Sequence, residues 1–420
     1  MSRGWTMACF IFALWRATGI ASQAQTFTTL HTFEMTDGAY PYGALVQGLD
    51  GNFYGTTWEG AREICWGGCG AIFKITPAGT FTTVHEFVGT DGSWPQSGLT
   101  LATNGNFYGV TMGSEPPETT IYEITPEGSF STLYSSYFGL GGSGTELPID
   151  QPLMQDTIDG NFYGTMPYAG RGVKGSCGGC GTVFKITPGG TLTVLYNFCN
   201  LKHCGDGFNP AAQLVQASNG VLYGTTSNGG PDIGVAAIAG TVFKIGTEGA
   251  LNVLYQFNSI TEGWNPMAGL TLGTDGNFYG TTQNGGIEAC SGQSAPQGYC
   301  GTIFKITPAG ALTTLHTFDG TDGGNPITAL IQATDGNFYG TTPGVGYKGA
   351  CAGNNCGSIF KLTPDGTLTT LHSFDKTDGM NPAAALVEGT DGNIYGTTNG
   401  FKGSTSTALF SSCRWGLLLS

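Results

Sequence analysis

Short apolar runs, grouped four to a unit, recur along this chain. The clearest set reads Ile303-Phe304-Lys305-Ile306-Thr307, then Leu312 to Phe318, then Ala329-Leu330-Ile331-Gln332, then Asn337 to Thr342. Each run is too short for a helix and rich in β-branched and aromatic residues, so each predicts a strand. The connections agree: Asp335-Gly336 marks a tight hairpin whose central residues can take positive φ, and Pro308-Ala309-Gly310 closes a turn. Echoes such as Ala44 to Gln47, Val183 to Thr187 and Ala385 to Glu388 carry the pattern to both ends.

The block Asn-Phe-Tyr-Gly-Thr-Thr, or a close variant, occurs seven times, with its tyrosine at Tyr54, Tyr108, Tyr163, Tyr223, Tyr279, Tyr339 and Tyr395, at successive gaps of 54, 55, 60, 56, 60 and 56 residues. A unit repeated at near-constant spacing cannot bury its apolar faces alone and must stack on its copies. Four antiparallel strands repeated in this way predict an all-β, seven-bladed β-propeller. The fourth-strand pattern first appears at Thr26 to Phe33, before the first block, whereas the last block, Asn393 to Thr398, is followed only by a weak third strand near Leu409-Phe410. The N-terminal strand is therefore expected to complete the C-terminal blade and close the ring.

Composition sets the compartment. Arg3, the apolar run Met7 to Trp15 and the small residues ending at Ala24 predict a secretory signal peptide over residues 1–24, followed by one propeller domain over 25–412 and a short tail at 413–420. The apolar run is too short to span a bilayer. Loss of that leader removes two of the 15 basic residues and none of the 29 acidic ones, leaving a charge of 13 − 29 = −16, which argues against nucleic acid or an anionic membrane as partner. Of the 12 cysteines, ten form close pairs: Cys65 with Cys69, Cys177 with Cys180, Cys199 with Cys204, Cys290 with Cys300, and Cys351 with Cys356. Pairs lying in different repeats without clustered histidine favour local disulfides over zinc, in keeping with export; Cys413 is left over.

The Asp-Gly-Asn-Phe-Tyr-Gly-Thr-Thr, Ile-Phe-Lys-Ile-Thr-Pro and Leu-Thr-Thr-Leu-His-Thr-Phe blocks, across roughly residues 26 to 400, resemble the GloVer-type tandem repeat of exported bacterial choice-of-anchor proteins. The resemblance implies an exported, surface-associated protein of uncharacterised activity. Family members commonly carry a sorting tail after the repeats, and Lys402 to Ser420 is too short for one.

Antiparallel order places the long loops after the second strand and the loops after the fourth on one face of the disc. Variable loops on a rigid scaffold are where recognition usually resides. Trp58, Trp66, Tyr168, Tyr299 and Tyr347 fall there as candidate binding aromatics, against the alternative that they pack over neighbouring loops. An acidic turn leads into most repeats, with Asp37, Asp91, Asp206, Glu262, Asp322 and Asp378 as candidate calcium ligands, and Asn209, Asn265, Asn325 and Asn381, each before proline, as candidate binding residues. Both sets also suit turn formation. His31, His85, His316 and His372 share one fourth-strand position and read as packing residues. No Gly-x-Ser-x-Gly, His-Glu-x-x-His or phosphate-binding loop occurs, and no acid and base pair off. The expected function is a monomeric, secreted binding or scaffold protein, without a required cofactor, that recognises a glycan or protein through its loop face. The alternatives are a hydrolase or lyase acting on an extracellular polysaccharide or lactone at the axial channel, where Asp156 and Glu388 are the acidic first-strand residues, and a structural envelope component.

Overall fold

The computed structural model describes residues 26–61, 65, 67–113, 119–136, 151–170, 179–230, 239–258, 260–286, 300–343, 356–375, 377–399 and 408–412, the last as backbone alone. The leader expected over 1–24 and the tail with Cys413 lie outside them. Repeats are numbered 1 to 7 after the tyrosines above.

The protein is a β-propeller of four-stranded antiparallel blades. Six sheets are each built from four consecutive strands, as in Val46–Gln47, Phe53–Thr57, Ala71–Ile75 and Phe81–Glu86 of repeat 1. A further four-stranded sheet is composite: Val387–Glu388, Ile394–Thr397 and Ala408–Ser412 are completed by Phe27–Thr32 from the other end of the chain. No α-helix is found among the described residues, only a 3-10 turn at Lys202–Cys204.

Each residue of the recurring block has an architectural task. In repeat 1, Phe53 packs at a tilt on Tyr395 of repeat 7 with ring centroids 4.0 Å apart, and Tyr54 on Phe107 of repeat 2 at 4.2 Å. The Tyr54 hydroxyl donates to Asp50 at 2.8 Å, and Asp50 also accepts from the Asn52 backbone N–H at 3.1 Å, which ties the hairpin turn to the strand. Gly55 must lack a side chain, because a Cβ there would lie 2.5 Å from the Phe73 ring and 2.9 Å from Leu45. Thr56 donates to the Ser97 carbonyl of the next blade at 2.8 Å, and Thr57 Oγ1 accepts from the Ala71 backbone N–H at 3.1 Å.

The same contacts cross the junction between the two chain ends. Thr397 donates to the Pro41 carbonyl at 3.0 Å, and the Thr390 backbone N–H donates to the Gln47 side chain at 2.9 Å. On the rim, Phe27 stacks on His372 and His31 on Phe81, at 4.0 and 4.1 Å. The first strands are shorter than the sequence predicts: of Ala329 to Gln332 only Ile331 and Gln332 pair with the second strand. The residues before them face the neighbouring blade instead, as where Thr341 of repeat 6 reaches the Ala384 carbonyl of repeat 7.

The hairpin-turn carboxylates and the block tyrosines make stability depend on pH in both directions. Burial pushes the Asp50, Asp159 and Asp391 carboxyls up, but the hydrogen bonds from their Asn and Tyr partners outweigh it and hold all three below the usual carboxylate range. Burial and the bond to Glu123 push the Tyr108 phenol up to about 12; burial and Asp391 do the same for Tyr395. A depressed carboxyl contributes stability above its unfolded pKa of about 4 and loses it as pH falls; a raised phenol contributes below about 10 and loses it as pH rises. Thermal melts across pH are expected to show a plateau between those limits and a fall on either side. A melting temperature that holds constant well below pH 4 would remove the carboxylates from this account.

Candidate functional site

The acidic turns are organised by their own repeats. Asp322 accepts from the Asp319 backbone N–H at 3.2 Å and meets His316 Nε2 at 2.7 Å; Asp378 does the same with Asp375 and His372, at 3.1 and 2.7 Å. Asp37 pairs with His31 and Asp91 with His85, each at 2.9 Å. Where tyrosine replaces histidine, Tyr196 donates to Asp206 at 2.8 Å and Tyr255 to Glu262 at 2.7 Å. The expectation that these histidines only pack is thereby corrected: each is also the side-chain partner of its acidic turn. Burial raises the Asp91 carboxyl, but His85 and the Val88 N–H outweigh it and hold it low. Among the described residues no three His, Cys, Asp or Glu side chains gather as a metal site.

The four asparagines are likewise turn residues. Asn209, Asn265, Asn325 and Asn381 all lie in the left-handed region, with φ of 59, 61, 53 and 53°. Each directs its backbone N–H to the carbonyl of Cys180, Ala239, Cys300 or Cys356 before the third strand. Asparagine tolerates that conformation better than most residues.

Among the described residues, two repeats depart from this rule, and the departures meet. The matching pre-proline positions in repeats 1 and 2 are Tyr40 and Trp94, at φ 56 and 57°. A bulky side chain in the left-handed region costs about 1–3 kcal/mol, the kind of strain that marks functional positions. Their rings converge with those of Trp58 and Tyr42: Tyr40 lies 6.2 Å from Trp58, Tyr42 5.7 Å from Trp58, and Trp94 6.3 Å from Trp58. All four are half-buried.

Glu59 adjoins this cluster. It pairs by backbone with Ala39, as Asn228 pairs with Phe208 and Asn284 with Trp264 in later repeats, so it too replaces an asparagine. It is 7 % exposed, and its Oε2 is buried without a hydrogen-bond partner among the described residues. Burial, the Glu59 carboxyl and Tyr42 together raise the Tyr40 phenol. The disulfide Cys65–Cys69 shapes the wall beyond, where Trp94 donates its backbone N–H to Cys69 and its indole N–H to Gly68, both at 2.9 Å.

Of the aromatics singled out in the sequence, Trp58 is central here. Tyr168, 40 % exposed, has no ring neighbour among the described residues, and Trp66, Tyr299 and Tyr347 lie outside them. Cys199–Cys204 forms the second complete disulfide; Cys180, Cys300 and Cys356 are also disulfide-bonded, while Cys177, Cys290 and Cys351 lie outside the described residues.

Beside the cluster a cavity of about 130 Å³ opens on the axis, lined by residues of all the repeats, among them Tyr42, Gln96, Gln151, Gln213, Met267 and Ile327. Asp156 and Glu388 are both engaged elsewhere. Asp156 accepts from the Ile158 N–H at 2.7 Å, and Glu388 accepts from the Thr334 N–H at 2.8 Å and hydroxyl at 2.7 Å.

The Gloeobacter/Verrucomicrobia repeat matches residues 19–119, 67–295 and 291–412. None of the curated proteins matches the chain. Among solved structures, a fungal alcohol oxidase of the AA5 family in complex with copper aligns at 13% identity and TM-score 0.55, over 93% of this chain and 76% of that one. A putative gluconolactonase aligns at 12% identity and TM-score 0.46, over 93% and 92%. A gluconolactonase from Xanthomonas campestris aligns at 10% identity and TM-score 0.41, over 90% and 87%. At 13% identity the likeness to the alcohol oxidase is one of fold alone.

Proposed function

The chain belongs to the Gloeobacter/Verrucomicrobia repeat family, and on that premise we propose that it is an exported, seven-bladed binding propeller whose loop face recognises a glycan at the boundary of repeats 1 and 2. The observation that carries this reading is the cluster of Tyr40, Tyr42, Trp58 and Trp94, two of them held in a backbone conformation that their own side chains disfavour. Indole and phenol rings offer flat apolar faces with polar edges, the combination that the C–H face and hydroxyl rim of a sugar require. Glu59, buried beside these rings, has a carboxyl oxygen that meets no hydrogen-bond donor among the described residues.

A binding role also agrees with what the acidic groups do. Asp156 and Glu388 are occupied by turn and inter-blade hydrogen bonds, and the acidic turns by their histidines and tyrosines. Neither set leaves a carboxylate pair facing a common space, which a hydrolase of polysaccharides would need.

The test is retention of the oxidised, leaderless protein on immobilised cellulose, xylan, mannan and chitin. Retention on at least one, released by the corresponding soluble sugar, is expected. Passage through all of them unretarded would overturn the glycan reading.

A further inference from the structure

The axial cavity differs around its circumference. On repeats 1 to 3 it presents Tyr42, Gln96, Ser97 and Gln151; on repeats 5 to 7 it presents Met267, Ile327 and Ala383, with Thr328, whose hydroxyl is already paired with that of Thr341 at 3.0 Å. Ser97 is 2 % exposed and its hydroxyl is buried without a partner among the described residues. A buried hydroxyl left unsatisfied costs free energy until something binds it. Tyr42 belongs to this wall and to the aromatic cluster at once, so the cavity and the cluster are parts of one surface.

Size and charge restrict the occupant. About 130 Å³ lies below the roughly 300–1,000 Å³ of sites that enclose drug-sized ligands, which leaves room for one sugar ring and none for a chain passing through. The described lining contains no Lys, Arg or His, and the chain carries a net charge of −14. A uronate or sulfate placed there would be desolvated without a counter-charge.

We propose that the axial mouth takes the terminal unit of a neutral glycan end-on, with Trp58 and Trp94 stacking against the units that follow. This rests on the glycan reading above and specifies its ligand. The hydroxyl edge of the terminal ring faces Gln96, Ser97 and Gln151, and its C–H face lies over Met267 and Ile327. Gln213 is held in place, its side-chain N–H donating to the Leu153 carbonyl at 2.9 Å.

The experiment titrates cello-, xylo- and manno-oligosaccharides, their parent polymers and an oligogalacturonate by calorimetry. For the neutral series that binds, stoichiometry is expected to follow the number of chain ends rather than total sugar, and the oligogalacturonate to show no binding. Ala383→Trp, which fills the mouth, and Gln96→Ala, which removes a polar contact without filling it, are each expected to weaken oligosaccharide binding about tenfold or more while melting as the wild type does. Stoichiometry that follows total sugar, equal binding of oligogalacturonate, or unchanged affinity in both folded variants would overturn the end-on neutral site and leave glycan binding standing. Failure of the wild type to bind any sugar would remove both.

Discussion

Deleting residues 26–33 is expected to unfold the domain or leave it aggregating, although only eight residues are lost. The segment supplies the outer strand of the composite sheet, with Phe27, Thr28, Thr29, His31 and Thr32 paired to Ser412, Ser411, Phe410, Leu409 and Ala408. It also carries Phe33, 4 % exposed and packed with Leu45, Phe53, Phe73 and Tyr395 in the core between repeats 7 and 1. Truncating one buried Phe costs about 3–5 kcal/mol, and the whole stability of a domain is about 5–15 kcal/mol. Losing Phe33, the stacks of Phe27 on His372 and of His31 on Phe81, and the strand pairing together consumes that margin, and the exposed edge invites intermolecular pairing. Calorimetry and size-exclusion chromatography measure the effect against a protein lacking residues 1–24, expected to melt cooperatively as a monomer. Equal melting of the two would show that the ring does not depend on its first strand.

The second large effect is on binding. Trp58→Ala and Trp94→Ala are each expected to weaken glycan affinity by at least 2 kcal/mol, about 30-fold, because a central aromatic contributes far more than the contacts at its rim. Trp58 lies within 6.3 Å of every other ring in the cluster, so its loss also removes support from Tyr40, Tyr42 and Trp94. Their combined effect is expected to fall short of the sum, as for neighbours that share a ligand and each other. Tyr168→Ala, on the loop of repeat 3, is the matched control and is expected to leave affinity unchanged. Wild-type affinity in Trp58→Ala would place recognition elsewhere.

The architecture was legible in the sequence because the recurring block is itself architectural. Phe and Tyr stack between blades, Asp and Asn shape the hairpin turn, glycine clears the ring of the third-strand Phe, and both threonines hydrogen-bond across strands or blades. Repetition of that set, together with its offset at the chain ends, was enough to place Phe27–Thr32 beside Ala408–Ser412. The His–Asp pairs were missed although their signal was present: His31 and Asp37, His85 and Asp91, His316 and Asp322, and His372 and Asp378 all keep the same spacing.

The site was legible only in one residue, Trp58. Tyr40 and Trp94 announce themselves by replacing the asparagine that later repeats place before proline, and Glu59 by replacing Asn228 and Asn284. Such departures carry no chemical motif of their own. They gain meaning once the fold shows that three of them fall against one tryptophan.

The most direct measurement is hydroxyl-radical footprinting read by mass spectrometry, with and without the retained glycan. Protection is expected at Tyr40, Tyr42, Trp58 and Trp94, with the rate at exposed Tyr168 unchanged. Protection at Tyr168 or on other loops, with the four clustered rings labelled as in the free protein, would contradict it.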